Sequence, residues 1–173
     1  SHTERSHPDD DAATVGHDGL QTWVALPDDA EDADAFFEAA TAGDIPVERH
    51  GDVNIRMLVG SGWGLSSPIP GSSTLVYADI GFPAGGGELR IDGSHPELAV
   101  CPIDDDVFVD GFRVAAGTMA VLATGATPLL SGAGRVMVMG GEPVGKRFIW
   151  WNFVHSDQDH IEAAKEAWTT QNF

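Results

Sequence analysis

The 173-residue chain carries 27 aspartates and glutamates against nine lysines and arginines, a formal charge of −18. That balance argues against nucleic acid and anionic membrane surfaces as partners, because both present phosphate to the protein. A hydrophobic fraction of 42% supplies a core, and no apolar run approaches the length of a membrane span. Ser1 to Asp11 is polar and acidic, unlike a secretory signal, and the single cysteine, Cys101, excludes an intrachain disulfide. Both features point to a reducing, cytoplasmic setting.

Taken in order, residues 1–16 read as a polar arm with little to bury. Leu20 to Leu26 alternates as a short strand closed by Pro27, and the acidic run that follows reads as a solvated loop. Ala33 to Ala42, with Phe36 and Phe37 among alanines, predicts a helical turn at most. Val53 to Val59 is the next strand. Gly60 to Ser73 is dense in Gly, Ser and Pro, which marks a loop and a boundary between residues 1–60 and 61–173.

Beyond that boundary, short apolar strands recur at intervals of roughly ten residues, as in a β-sandwich or barrel. They are Thr74 to Phe82, Gly87 to Ile91, Glu97 to Pro102, Val107 to Val109, Phe112 to Ala115, Thr118 to Ala123, Pro128 to Leu130, Arg135 to Met139 and Lys146 to Val154. Asp110-Gly111 is a two-residue hairpin signal, since that turn needs positive φ at both central positions. The last two strands are nearly apolar on both faces and are expected inside the sandwich. One helix follows. Ser156 is its expected N-cap, Asp157 and Asp159 complement the helix dipole, and Ile161, Ala164 and Trp168 form its docking face.

Four segments carry a resemblance: His2-Thr-Glu-Arg-Ser6, Gly19-Leu-Gln-Thr-Trp-Val-Ala-Leu-Pro27, Gly117-Thr-Met-Ala-Val-Leu122 and Gly140-Gly-Glu-Pro-Val-Gly145. Together with the aromatic strand and final helix, they resemble the pirin family over nearly the whole chain. The resemblance implies an all-β fold, a cupin jelly roll with a short C-terminal α-helix. Pirins have two cupins. The N-terminal one holds a metal, usually iron, through a His-x-His and a His-x-Glu pair, and the C-terminal one generally lacks metal. Some members resemble quercetin 2,3-dioxygenases, and others are partners of transcription factors. By this resemblance residues 1–60 are the tail of the N-terminal cupin and a crossover segment, and residues 61–173 are the C-terminal cupin. The chain is expected to begin inside the second metal pair.

His2 and Glu4, two apart on a strand, would face one ion, and an imidazole with a carboxylate suits iron. Two ligands fall short of an ordinary site, so the chain alone is expected to bind no metal, iron belonging to the full-length family member. The remaining histidines (His7, His17, His50, His95, His155 and His160) show no ligand spacing. Cys101 reads as a buried thiol, and Asp104-Asp-Asp106 lacks the spaced ligands of a calcium loop. Gly85-Gly-Gly87 has no following Lys-Ser/Thr and is no phosphate loop. Trp150, Trp151, Phe153 and Trp168 read as core, whereas Trp63, in a Gly/Ser loop, reads as exposed and available to a partner.

Catalytic residues are not identifiable. The expected function is a structural or interaction module, the metal-free C-terminal cupin half of a pirin-like protein. The alternative is part of an iron-dependent quercetin 2,3-dioxygenase-type enzyme whose metal site lies mainly in the N-terminal cupin. A third reading is a small-molecule binder using the barrel interior. Expected partners are the N-terminal cupin half, a second copy of the chain or another protein, and neither nucleic acid nor membrane.

Overall fold

Val53, Ile55 and Met57 alternate with Asn54 and Arg56, and the pattern does what a period of two requires: the first set is buried, the second is not. In the computed structural model, which describes residues 19–170, they lie on β2 (Val53–Gly62). The described residues divide into two compact units, one of residues 33–143 and one of residues 19–32 with 144–170.

The larger unit is all β. It contains β1 (Val47–His50), β2, β3 (Leu65–Ser66), β4 (Leu75–Arg90), β5 (Glu97–Pro102), β6 (Val107–Val109), β7 (Phe112–Val114), β8 (Ala120–Val121) and β9 (Leu129–Gly141). All pairings are antiparallel, in the order β1-β2-β4-β9-β5-β8, with β3 on β2, and β6 bridging β9 and β7. The long strands β4 and β9 each contribute twice. Leu75 to Phe82 pairs with Gly134 to Gly141, the register then shifts, and Gly87 to Arg90 pairs with Leu129 to Gly132. Such an irregularity bends a strand. One stretch of β9 can therefore pair with β5 while the other pairs with β6. Side chains from both stretches meet in one apolar cluster, including Ile55, Ile80, Val100, Val107, Leu130 and Val138. This is the sandwich that the spacing of the strands predicts.

The smaller unit carries β10 (Phe148–Trp150), β11 (Phe153–His155) and α1 (Gln158–Thr170), with the helix packed on the hairpin. Here three expectations are corrected. Lys146 to Val154 is not one sandwich strand: Trp151, at φ 52°, turns the chain back into a separate two-stranded sheet. Leu20 to Leu26 forms no ladder among the described residues. Leu20, Trp23 and Val24 are exposed, and the Leu26 carbonyl accepts from the Arg147 guanidinium (2.7 and 3.2 Å) rather than from a neighbouring strand. The helix cap is Asp157, not Ser156, since Asp157 Oδ1 accepts the Asp159 N–H at 2.8 Å.

Ile161 is the buried residue of α1, and Trp168 packs edge-on to Trp151 at 4.1 Å between centroids. Trp150 stacks on Phe153 at 6.0 Å, so these rings touch one another, but the expectation that all four are core is corrected: Trp151 and Trp168 are exposed. In the larger unit Trp63 is not an exposed loop residue. It packs on the sandwich core and its indole N–H donates to the Arg90 carbonyl at 3.0 Å.

Candidate functional site

His155 closes β11 and His160 lies in the first turn of α1, so a five-residue separation folds back on itself. Their rings lie 4.1 Å apart, and His160 Nδ1 sits 2.9 Å from His155 Nε2. Asp32 comes from a turn much earlier in the chain. Its Oδ1 lies 3.6 Å from His155 Nε2 and 3.8 Å from His160 Nδ1. Each of the three residues thus presents one donor atom to a common space. His155 is mostly covered, while Asp32 and His160 face solvent.

The support for this cluster is better buried than the cluster. Arg147, 7% exposed, pairs with Glu31 and Asp28, both at 2.8 Å. The Glu31 side chain is 5% exposed, and it also accepts the Ser156 N–H at 2.9 Å. Its second oxygen lies 3.8 Å from His155 Nδ1, which accepts the Asp157 N–H at 2.8 Å. With that bond made, the neutral His155 ring carries its proton on Nε2 and donates it to His160 Nδ1. Fixed turns, a helix cap and a buried ion pair therefore position the donors.

His2 and Glu4, the metal pair expected from the sequence, lie outside the described residues. His155 and His160, which show no ligand spacing along the chain, are brought together by the fold. The sequence clue was present, two histidines flanking a helix start, but Asp32 enters only through tertiary contact.

The larger unit offers little comparable chemistry. Its buried charged or titratable side chains among those described are Asp79 and His95. Asp79 lies between Arg56 (3.5 Å) and Arg135 (3.2 Å). His95 Nε2 is 2.8 Å from the Ser61 carbonyl, and its buried Nδ1 has no hydrogen-bond partner. The acidic run serves turns: Asp104 accepts the Arg135 N–H, and Asp106 accepts the Ala116 N–H and pairs with Arg113. Those bonds, the backbone one first, hold the Asp106 carboxyl below its usual value of 3.8.

Residues 77–173 match the pirin C-terminal cupin domain. A pirin-like protein of Caulobacter vibrioides is 38% identical over 154 residues, covering 87% of this chain and 53% of the relative. A Pseudomonas aeruginosa protein, provisionally named a quercetin 2,3-dioxygenase, is 32% identical over 97% of this chain and 53% of its own length. The crystal structure of a quercetin 2,3-dioxygenase from Acinetobacter baumannii superposes with a TM-score of 0.75 at 28% identity, over 87% of this chain and 51% of that one. The chain thus spans about half the length of the curated relatives it matches. With the profile match covering more than half of its residues, the chain belongs to the pirin family and carries that family's C-terminal cupin domain.

Proposed function

We propose that this chain works as the C-terminal cupin half of a pirin-like protein, a sandwich without a metal of its own that serves as a structural and interaction module. The supporting observation is the chemistry of its interior. Ile55, Met57, Ile80, Val100, Val136 and Val138 are essentially inaccessible and offer neither an imidazole nor a carboxylate. Of the two buried titratable side chains described in that unit, Asp79 is committed to arginines and His95 Nε2 to the Ser61 carbonyl. An iron centre with open positions needs about three protein ligands. The donors in the described sandwich do not fit iron, and no catalytic step is assigned there.

The partner in this reading is the N-terminal cupin half or a second copy of the chain. Exposed Leu20, Trp23 and Val24 in the smaller unit, and Phe36 and Phe37 in the larger, support it, because isolated chains rarely leave such side chains to water in groups. The charge of −18 speaks against nucleic acid and anionic membranes, and no described helix is long and apolar enough to cross a membrane. A cytoplasmic setting accords with the lone thiol.

The second reading is favoured by the two relatives named for quercetin 2,3-dioxygenase activity. In it the chain completes an iron-dependent enzyme whose ligands lie mainly in the N-terminal cupin, with His2 and Glu4 contributing. Oxygen uptake with quercetin, and iron content by mass spectrometry, separate the two when measured on the chain combined with the N-terminal cupin half: the enzyme reading expects iron-dependent uptake that is lost when this chain is left out. The module reading expects a stable complex with the N-terminal cupin half by light scattering, and neither iron nor uptake from this chain alone. Iron-dependent turnover by the chain alone would overturn it.

A further inference from the structure

We propose that Asp32, His155 and His160 bind one divalent transition-metal ion of the zinc class, at a site separate from the sandwich. The argument begins with spacing. The donor pairs are 2.9, 3.6 and 3.8 Å apart. Zinc bonds of about 2.0–2.1 Å at tetrahedral angles place neighbouring donors about 3.3 Å apart. For this triangle of donors the equidistant point lies about 2.0 Å from each, at the length of such a bond. An ion fits with shifts of a few tenths of an ångström.

Donor chemistry selects the ion. Two imidazoles and one carboxylate suit first-row transition ions (zinc, cobalt, nickel, copper or iron(II)) rather than magnesium or calcium, which prefer oxygen alone. The first turn of α1 is the positive end of the helix dipole, which opposes a cation. Asp157, Asp159, Glu31 and Asp32 offset it with negative charge. Solvent reaches Asp32 and His160, leaving a fourth position for water.

Binding also rearranges the protons. Without metal the His155 Nε2 proton points at His160 Nδ1, so neither of those nitrogens has a lone pair free for an ion. The ion takes the His155 Nε2 lone pair, so His155 must carry its remaining proton on Nδ1. There it can no longer accept from the Asp157 N–H and turns instead toward Glu31 Oε2, now 3.8 Å away. A carboxylate behind a ligating imidazole is the usual orienting arrangement, and Glu31 is already held by Arg147 and the Ser156 N–H. His155 and His160 therefore change from partners in a hydrogen bond to joint ligands.

The test uses the whole chain, without a histidine tag and stripped with a chelator. Zinc ion alone is titrated by calorimetry, and cobalt ion alone by visible absorption. One ion per chain is expected, with a tetrahedral cobalt spectrum. His160→Ala and Asp32→Asn, both at exposed positions, should each weaken binding at least tenfold with the far-ultraviolet spectrum unchanged. The double variant His2→Ala, Glu4→Ala should leave this binding intact. Binding that survives His160→Ala and Asp32→Asn, or no binding at millimolar ion, overturns the proposal.

Discussion

At the scale of single residues, two positions show how little freedom the sandwich leaves. Gly140 on β9 lies between β4 and β5, and a Cβ added there would meet the Glu97 carbonyl oxygen at 1.9 Å. Backbone cannot yield as a side-chain tip does, so Gly140→Ala should cost about 3 kcal/mol, read from urea unfolding. The Asp79 side chain is only 7% exposed, while its partners Arg56 and Arg135 are 38% and 48% exposed. Asp79→Ala should cost about 2 kcal/mol because it removes the buried acceptor that both arginines share. Arg56→Ala should cost well under about 1 kcal/mol, since water and Arg135 still serve the carboxylate. Equal losses in the two unfolding curves would contradict that asymmetry. Asp106 supplies the pH prediction. Its folded pKa is depressed by the Ala116 N–H and by Arg113, so its contribution is present above the ordinary value of 3.8 and is lost as pH falls through the folded value. Asp106→Asn should lower the urea midpoint at neutral pH, with the gap closing below about pH 4.

Elements were the most legible scale where turns decide them. Asp110 and Gly111 take φ values of 46° and 82°, as the hairpin between β6 and β7 requires. Gly111→Ala should destabilise by about 1 kcal/mol, because a Cβ opposes that backbone region. The helix boundary was less legible, since Ser156, Asp157 and Asp159 all have capping chemistry. Asp157→Ala should cost about 1 kcal/mol and some helical ellipticity, while Ser156→Ala changes little. The reverse ranking would restore Ser156 as cap. The Lys146 to Val154 run misled because its aromatic and β-branched residues favour strand on either side of Trp151, and nothing in its composition announces the turn.

For the whole molecule, charge governs more than any one contact. With 27 acids against nine strong bases, repulsion among like charges opposes the compact state. Thermal midpoints should therefore rise as potassium chloride is raised from about 0.05 to about 1 M, where the screening length falls to about 3 Å. A midpoint that is flat or falling with salt would show that specific ion pairs outweigh the net field.

Alternation, turn chemistry and a helix start are local properties, which is why the all-β character, the exact spans of β5 and β6 and the final helix could be read from residue order. The pirin resemblance rested on equally local motifs. Only tertiary structure joined Thr74 to Phe82 with Gly87 to Ile91 into one bent β4, because register depends on a partner strand far along the chain. Only tertiary structure, likewise, set Asp32 beside His155 and His160. Spacing along the chain carries no signal for donors that meet when a turn, a strand end and a helix cap are packed together.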